Sequence, residues 1–308
     1  MDAVVIGGCV VDLISYADRF PVAGETLIGS NFSKGFGGKG ANQCVMISRL
    51  GGRTAMIAKL GDDTFGKEYF ECFQMNQINY EHVTVTTESS TSTATICVTK
   101  NGENSIIYVP GAVNCLSKED IYNAENIIAR TKVLLCCNEC RFDVLLEALK
   151  VARKHKVYTI VNAAPICPEP YDSVYPLCDI LCVNEVEVEA ITNLKVTTIE
   201  SAYNACTVLL NKGCNVVIIT LGAKGAVFCT KDNPNPKHIP AKKVDAIDTT
   251  GAGDAFLGSL TYYIALHPNL SLEEKISRSC EIAAISVLSS GTQISFPYRK
   301  ELEERLFV

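Results

Sequence analysis

Short runs of β-branched and other apolar residues alternate with longer segments of helical periodicity along much of the chain. The short runs are typical of strands buried on both faces of a sheet, and the longer segments are typical of amphipathic helices. The predicted strands are DAVVIGG, TAMIAKLG, KVLLCC, VYTIVNA, DILCVN and NVVIITLG. The predicted helices are TFGKEYFECFQMN, RFDVLLEALKVARKHK and IESAYNACTVLLNKG. This alternation predicts an α/β fold with a doubly wound, mostly parallel sheet flanked by helices.

Two segments depart from this alternation. Residues 11–36 contain no clear helical pattern, and TATICVTKNGENSIIYVPGA predicts a hairpin whose turn lies near Asn101 and Gly102. We expect both segments to form extra antiparallel strands in a small β-sheet that projects from the main body. Such a sheet is suited to be a lid, built from about 11–36 and 92–112. The proline-rich stretch KDNPNPKHIP is interpreted as a surface loop.

Length and charge narrow the classes of function. The 308 residues suit one large α/β domain or two smaller ones. There is no apolar run of about eighteen residues, so no membrane span is predicted. The segment MDAVVIGG lacks a cleavable apolar signal, which favours a cytoplasmic protein. The net charge of −6, with dispersed positive residues, argues against general nucleic-acid binding.

The 15 cysteines are placed as small hydrophobic residues rather than as a disulfide framework. Most of them lie inside apolar runs such as TATICVT, DILCV and AVFCT. Together with the missing signal segment, this favours reduced thiols in the cytosol. Cys137 and Cys140 form a C-x-x-C pair, but no second pair completes a zinc site. We interpret this pair as a chance spacing in a cysteine-rich chain, and the alternative is a redox role.

The glycine-rich stretch GFGGKGAN does not fit either nucleotide-binding loop that it superficially matches. Gly35, Gly37 and Gly40 satisfy G-x-G-x-x-G, yet that fingerprint should directly follow the opening strand, which ended about thirty residues earlier. The phosphate-loop pattern fails because Ser33 replaces its first glycine and Gly40 follows the lysine. Both nucleotide interpretations therefore fail on context.

The same stretch suits a ligand rich in hydroxyl groups. Gly37 and Gly38 let a polar ligand approach bare backbone, and Asn42 at the start of the next helix can donate and accept hydrogen bonds. Neutral groups of this kind match hydroxyls better than phosphates. The alternative is a tight turn in which Asn42 is a helix N-cap.

The stretch AIDTTGAGDAFLGSLTYYIAL predicts a phosphoryl-transfer site. Gly251, Ala252 and Gly253 lead into an apolar helix, so their N–H groups and the helix dipole form an anion site. Asp254 in the same turn is placed to accept a proton from a hydroxyl nucleophile. The alternative is helix capping by Asp254, which leaves the three small residues unexplained.

Two further stretches fit a nucleotide and its metal ion. In VNEVEVEA, Asn184 and Glu187 share a helix face and are suited to hold water-shelled magnesium. The alternative there is a solvated acidic helix start. ITLGAKG, from Thr220 to Gly225, predicts a strand and a glycine turn where a nucleotide can lie. The alternative is an ordinary hairpin turn.

Together with GGCVVDL, FPVAGET, LGDDTFG and SSGTQISFP, the motifs GGKGANQ and DTTGAGDAF resemble the ribokinase branch of the PfkB sugar-kinase family. The resemblance covers nearly the whole chain, and the lysine in GGKGAN favours the ribokinase branch. It implies a single ribokinase-like domain, 1–308, with an α/β core and a β-sheet lid. It also implies phosphorylation of D-ribose at O5 by ATP, with magnesium, activating potassium and a homodimer formed through the lids.

Two other functions stay open from the sequence. One is a kinase for another small sugar or a nucleoside, such as 2-deoxyribose or a ketohexose. The other is a non-catalytic sugar or nucleotide sensor on the same fold. The intact GAGD argues against the sensor, because a sensor needs no catalytic base.

The resemblance also implies roles for individual residues. Asp254 corresponds to the catalytic base and Gly251, Ala252 and Gly253 to the anion hole. The implied sugar site is Val10, Val11, Asp12, Gly38, Lys39, Gly40, Ala41, Asn42, Glu139 and Asp254. The implied ATP site is Asn184, Thr220, Leu221, Gly222, Ala223, Lys224, Gly225, Gly253, Asp254 and Cys280. The implied cation ligands are Glu187 for magnesium, through water, and Asp248, Thr250, Ser286, Ser289, Gly291 and Ser295 for potassium.

Two positions depart from the family pattern. Val10 stands where many bacterial ribokinases have asparagine, so its side chain lacks one contact to a sugar hydroxyl. Cys280 stands where the family often has asparagine or histidine near the nucleotide.

Overall fold

The computed structural model describes residues 1–308. The strands are β1 (Ala3–Ile6), β2 (Val10–Ala17), β3 (Asn31–Gly37), β4 (Thr54–Gly61), β5 (Asn79–Thr86), β6 (Ser92–Thr99), β7 (Asn104–Val109), β8 (Val133–Cys137), β9 (Tyr158–Asn162), β10 (Ile180–Asn184), β11 (Val216–Thr220), β12 (Ala226–Thr230) and β13 (Lys237–Ile239). The α-helices are α1 (Lys39–Arg49), α2 (Thr64–Met75), α3 (Lys118–Asn123), α4 (Glu125–Ala129), α5 (Phe142–Lys154), α6 (Glu185–Thr192), α7 (Ile199–Asn211), α8 (Ala252–Leu266) and α9 (Leu272–Ser286).

The main sheet has nine strands in the order β13-β12-β11-β10-β9-β8-β1-β4-β5. In this spatial order, all neighbouring strands from β11 through β5 pair in parallel. At the other edge, β12 pairs antiparallel with β11, and β13 pairs antiparallel with β12. Parallel neighbours need crossover connections, and the helices between the strands provide them. The predicted doubly wound, mostly parallel sheet is therefore confirmed.

Both faces of this sheet are covered, as the continuous apolar runs predicted. Val5 belongs to one hydrophobic cluster together with residues of α1, α2, α8 and α9. Its neighbour Val4 belongs to a second cluster, which includes residues of α3, α4, α5, α6 and α7. Successive side chains of a strand point to opposite faces, so each central strand contributes to both clusters. The result is three layers, with the sheet between two layers of helices.

The six predicted strands and three predicted helices are confirmed, with boundaries that differ by at most two residues. The interpretation of KDNPNPKHIP as only a surface loop is wrong, because Lys237–Ile239 within it forms β13. This strand has three residues and lies at the sheet edge, where flanking prolines are tolerated because no further strand needs their missing N–H groups. Its short length gave no periodic signal in the sequence.

A second sheet contains four strands in the order β3-β2-β6-β7. The hairpin β6–β7 turns at Gly102, whose φ of 81° lies in the left-handed region. The prediction of a small extra sheet is confirmed, but its pairing is not entirely antiparallel, because β2 and β6 run parallel. These two strands are far apart along the chain, so no tight turn constrains their relative direction.

None of the helices combines the length and the apolar character that crossing a membrane would require.

Candidate active site

The carboxyl ends of three parallel strands open onto one cavity of about 190 Å³. Strands β9, β10 and β11 end at Asn162, Asn184 and Thr220, and this edge of the sheet is where doubly wound folds bind ligands. The helices α1 and α8 reach the same cavity through Lys39 and Gly253. Its lining consists of Lys39, Asn162, Ala164, Cys182, Val183, Asn184, Glu187, Thr220, Gly251, Gly253, Asp254 and Leu257.

Asp254 is a buried carboxylate in the first turn of α8, and it lines this cavity. Each of its oxygens accepts a hydrogen bond from α1. Asn42 Nδ2 donates to Oδ2 at 2.9 Å, and Gln43 Nε2 donates to Oδ1 at 2.8 Å. The N-cap of α8 is Gly251, and no side chain caps the helix. The alternative of Asp254 as a helix cap is therefore wrong.

The N-terminus of α8 leaves several amides free. The N–H groups of Gly251, Gly253 and Asp254 donate to no acceptor within the chain, whereas Ala252 N–H donates to the carbonyl of Thr249 at 3.2 Å. Free amides and the positive end of the helix dipole together favour an anion. Two of the three predicted anion-hole residues thus present unpaired N–H groups beside the cavity.

Lys39 adds a positive charge to the same cavity. Burial lowers the pKa of its ammonium group, but the nearby carboxylates of Asp254, Glu139 and Glu187 outweigh burial, and the net pKa is raised. The ammonium therefore stays charged at neutral pH. A cation held next to free amides and a carboxylate suits a transferring phosphoryl group.

The glycine-rich loop makes a tight turn at Gly38, which is the N-cap of α1 and has a φ of 88°. A Cβ on Gly38 would lie 2.6 Å from the carbonyl oxygen of Gly8, so only glycine fits. Helix α1 begins at Lys39, and Asn42 lies buried within it. The alternative of Asn42 as the N-cap is therefore wrong, and its side chain is free to contact Asp254.

Glu139 holds the start of α1 from outside the helix. Its carboxylate accepts hydrogen bonds from the backbone amides of Lys39 at 2.8 Å, Gly40 at 2.9 Å and Gly8 at 2.8 Å. Burial raises the pKa of Glu139, while these three amides act in the opposite direction. In this structure the predicted sugar ligand Glu139 thus also anchors the loop that Gly38 shapes.

Asp12 lies half-buried on β2 of the small sheet. Burial, and then the charges of Glu139 and Asp254, raises the pKa of Asp12 to about 7. A Cβ on Gly37 would overlap the Asp12 carboxylate, so the glycine makes room for it. The three carboxylates form an acidic pocket whose natural partners are hydroxyl donors.

The other predicted sugar-site residues are placed differently. Val10 and Val11 begin β2 and are buried. Val11 is part of the hydrophobic core, so only its backbone is available to a ligand. Gly40 and Ala41 lie buried in the first turn of α1.

Asn184 and Glu187 form a reciprocal cap at the start of α6. Asn184 Oδ1 accepts from the amides of Val186 and Glu187, both at 2.9 Å, and Glu187 accepts from Asn184 N at 2.8 Å and Nδ2 at 2.9 Å. Glu187 is buried, and burial raises its pKa. The alternative of a solvated acidic helix start is therefore wrong, because both side chains line the cavity.

The predicted nucleotide turn joins β11 to β12 as a hairpin. Thr220 lines the cavity, Leu221 and Gly225 are buried, and Gly222, Ala223 and Lys224 are exposed. Lys224 Nζ donates to the carbonyl of Thr197 at 3.0 Å. Cys280 is buried in α9 and is not part of the cavity lining. The structure thus brings Thr220 to the cavity, but not Ala223, Lys224 or Cys280.

The predicted monovalent-cation loop gathers beside the start of α8. Asp248 Oδ1 accepts from the amide of Thr250 at 2.9 Å, and Oδ2 accepts from the amide of Gly291 at 2.8 Å. Burial raises the pKa of Asp248, but these amide bonds outweigh it and the net pKa is lowered. The hydroxyls of Ser286 and Ser295 donate to nearby carbonyls at 2.9 Å. Ser289 is exposed.

No group of three or more His, Cys, Asp and Glu side chains converges as metal ligands. The predicted cation loop contains one carboxylate, that of Asp248, together with the hydroxyl groups of its threonine and serine residues. The cysteines form no disulfide, and all 15 are free. Cys137 donates to Gln43 Oε1 at 3.1 Å, and Cys140 donates to the carbonyl of Cys137 at 3.5 Å.

The sequence predicted no role for Gln43 or Gln293, although they lie in the motifs GGKGANQ and SSGTQISFP. Gln43 contacts Asp254 directly, and Gln293 Nε2 donates to Asn42 Oδ1 at 3.0 Å. Their positions directly after Asn42 and within SSGTQISFP were the available signals. Neither position reveals a long-range partner by itself.

Comparison with known proteins places this geometry in a family. The family model described as pfkB family carbohydrate kinase matches residues 1–299. A ribokinase of Mus musculus is 46% identical over 99% of this chain and 94% of that protein. A deoxyribokinase of Salmonella typhi is 36% identical over 99% of both. The structure of Arabidopsis thaliana ribokinase complexed with ribose and ATP matches with a TM-score of 0.90 and 26% identity, over 99% of this chain and 98% of that one.

Proposed function

The chain belongs to the pfkB family of carbohydrate kinases, and we propose that it transfers the γ-phosphoryl group of ATP to O5 of D-ribose. The products are ADP and D-ribose 5-phosphate. The observation that carries this proposal is Asp254, fixed by Asn42 and Gln43 beside the free amides of α8. A base next to an anion site is the arrangement that phosphorylation of an alcohol needs.

In the proposed reaction, the 5-hydroxyl gives its proton to the carboxylate of Asp254 while its oxygen attacks the γ-phosphorus in line. The bond to the β,γ-bridging oxygen breaks, and ADP leaves. The amides of Gly251 and Gly253 and the ammonium of Lys39 offset the charge on the transferred group. Fixing base and anion site on packed helices gives the orientation that the displacement requires.

The sugar lies against the acidic pocket in this proposal. Asp12 accepts from adjacent sugar hydroxyls, and the backbone near Gly38 together with Asn42 supplies further polar contacts. Glu139 adds a carboxylate oxygen while it holds the loop. Support comes from the proximity of these groups to Asp254, which the electrostatic effects on Asp12 and Glu139 reflect.

The nucleotide lies along Asn184 and Thr220 at the ends of β10 and β11, and Glu187 holds magnesium through water. A buried carboxylate that faces the cavity suits a hydrated divalent cation, so the residues present fit this group. Magnesium bound with ATP supplies positive charge against the phosphate oxygens.

We assign potassium to the loop of Asp248, Thr250, Ser286, Gly291 and Ser295. The supporting observation is that the carboxylate of Asp248 ties this loop together next to the N-terminus of α8. We also propose a cytoplasmic location, which the 15 free thiols support, and a homodimer formed through the small sheets.

Phosphorylation of 2-deoxyribose is the second candidate activity. The side chain of Val10 cannot form a hydrogen bond with a sugar hydroxyl, whereas a polar side chain at this position could. In addition, the chain is 36% identical to a deoxyribokinase. A site that makes fewer bonds to the 2-hydroxyl loses less when that group is absent.

The test is coupled ADP release with ATP and D-ribose, 2-deoxyribose, D-fructose or a nucleoside, in wild type, Asp254→Asn and the exposed control Asp232→Asn. We expect ribose to give the highest kcat/KM, and Asp254→Asn to lower kcat by about 10²–10⁴-fold with sugar binding retained. Potassium should raise the rate above that in sodium or lithium at equal ionic strength. Sugar binding without turnover in the wild type would contradict the kinase and favour a sensor.

A further inference from the structure

Two buried amide side chains that do not line the cavity are linked to the catalytic carboxylate. Gln43 donates directly to Asp254 Oδ1 at 2.8 Å. Gln293 Nε2 donates to Asn42 Oδ1 at 3.0 Å, and Asn42 in turn donates to Asp254 Oδ2 at 2.9 Å. Both glutamines are buried, and neither is among the cavity residues. They therefore do not contact a ligand in the cavity directly, and any effect that they have on the reaction passes through Asp254 or Asn42.

Elementary chemistry determines which group donates and which accepts in these hydrogen bonds. An ionised carboxylate only accepts hydrogen bonds, so the NH₂ ends of Asn42 and Gln43 must face Asp254. Their amide oxygens then point away and need donors of their own. The thiol of Cys137 lies 3.1 Å from Gln43 Oε1, and Gln293 supplies the donor for Asn42. Gln293 Oε1 in turn accepts from the thiol of Cys72 at 3.3 Å.

Each oxygen of Asp254 is thus the end of one hydrogen-bonded relay that begins at a buried thiol. Burial raises the pKa of Cys72 to about 11 and also raises that of Cys137, so both sulfurs keep their protons at neutral pH. A protonated thiol at each end holds the amides in one orientation. Neither Gln43 nor Asn42 can flip without losing two hydrogen bonds.

Close packing of α8 against α1 allows these contacts. Gly258 lies one turn after Asp254 on α8, and a Cβ there would lie 2.6 Å from Met46 Cβ and 2.9 Å from the carbonyl oxygen of Gln43. The missing side chain lets α8 approach α1 closely. At this separation the side chain of Gln43 spans the gap to the carboxylate.

We propose that Gln43 and Gln293 are positioning residues that hold the carboxylate of Asp254 in the orientation needed to take the proton of the substrate hydroxyl. The inference rests on the proposed function of Asp254 as a base, but it does not depend on which sugar is the substrate. Small errors in the orientation of a catalytic group are costly, and a displacement of about 1 Å can reduce a rate about 10²-fold.

The test compares Gln43→Met and Gln293→Met, which keep side-chain length and remove hydrogen bonding, with the exposed control Gln74→Met. We expect each buried variant to lower kcat about 10–100-fold, while sugar Kd and the KM for ATP change less than about threefold. Gln74→Met should match the wild type. Equal kcat in wild type and both buried variants, with Tm retained, would overturn the proposal, as would parallel losses of binding and turnover.

The test of Gln43 and Gln293 does not depend on which alcohol is the substrate. If ribose is not turned over but another alcohol is, the same comparison is made with that alcohol. Crystal structures of the two buried variants give a readout without activity. We expect the Asp254 carboxylate to be rotated or displaced in Gln43→Met, and a carboxylate that superimposes on that of the wild type in both variants would refute the relay.

Discussion

At the scale of single residues, the acidic pocket places a cost on the sugar-free protein. Asp12, Glu139 and Asp254 lie near one another, and burial together with their mutual repulsion raises the pKa of Asp12 to about 7. In the unfolded chain the same carboxyl has an ordinary pKa near 3.8. The folded protein therefore holds an extra proton on Asp12 across the window between these values.

This difference predicts how the stability of the sugar-free protein depends on pH. Because the folded-state pKa of Asp12 is raised, stability from this group is fully present below pH about 4 and is lost as pH rises towards 7. We expect Asp12→Asn to match the wild-type Tm near pH 4 and to exceed it by about 2–4 °C at pH 8. Thermal unfolding across this range is the measurement, with exposed Asp18→Asn as control. A difference in Tm between Asp12→Asn and the wild type that does not change with pH would contradict the raised pKa of Asp12.

Val10 carries the second residue-scale prediction, which concerns the choice of pentose. Its side chain is buried at the start of β2 and offers no hydrogen bond. We expect ribose to be the better substrate, with measurable activity on 2-deoxyribose, and Val10→Asn to increase the ribose preference about 5–10-fold, as one added hydrogen bond would. The measurement is kcat/KM for both sugars, with near-isosteric Val10→Thr as a milder variant.

An unchanged preference in both Val10 variants, with Tm retained, would mean that position 10 takes no part in discrimination. A wild-type preference for 2-deoxyribose would overturn the choice of ribose and leave the phosphoryl-transfer chemistry of Asp254 intact.

At the scale of elements, the small sheet carries Asp12, one of the predicted sugar-site residues, outside the main nine-stranded sheet. Asp12 on β2 is in register with Ala94 on β6, and Ala94 is in register with Tyr108 on β7. Residues paired across strands share a face of the sheet, so Ala94 and Tyr108 lie on the same face as the Asp12 carboxylate. If a sugar binds to Asp12 as proposed, we expect its effect to reach β6 and β7 through this register.

We therefore predict that ribose protects this sheet from amide exchange. Strands β2, β6 and β7 should exchange more slowly with saturating ribose, because closure of the sheet over the sugar excludes water. The measurement is hydrogen–deuterium exchange with and without ribose, and the buried central strand β9 is the internal reference. Unchanged exchange in all three strands would mean that the sheet is not a sugar-responsive lid.

At the scale of the whole molecule, the small sheet also exposes apolar surface. Phe32, Ile107 and Val109 are 61%, 67% and 45% exposed. The register places all three on the face opposite Asp12, because Phe32 pairs with Ser15 and Ile107 lies next to Tyr108. They lie on the two edge strands, β3 and β7, of this one face. An exposed apolar sheet face marks an interaction surface, and a second copy of the same sheet is a self-complementary partner.

This surface predicts a dimer that one charge disrupts. We expect the wild type to be dimeric at micromolar concentration by light scattering, and Ile107→Lys to be monomeric, because a buried unpaired charge costs several kcal/mol. Met75→Lys on α2 is the matched control, since Met75 is 69% exposed and lies outside the small sheet. A monomeric wild type, or a dimeric Ile107→Lys, would contradict assembly through this face.

Much of the fold was predictable because its signals are local. The continuous apolar runs predicted central strands such as β4, and the helical periodicity before Gly213 predicted α7, since both patterns reflect neighbours a few residues apart. The motif around Gly251 and Asp254 likewise predicted an anion site and a base from one turn of helix. The family resemblance, the α/β fold class and the second sheet are all confirmed.

The tertiary structure alone decided what each candidate residue contacts. The sequence predicted Asn42 as a ligand for hydroxyl groups, with a helix cap as the alternative, and did not reveal its bond to Asp254 across 212 positions of the chain. Glu139 caps α1 from a loop 100 residues away, and Gln43 became part of the site only through close packing at Gly258. Local periodicity depends on adjacent turns of one element, whereas these contacts depend on how α1 and α8 pack against each other. No pattern within either segment specifies that distance.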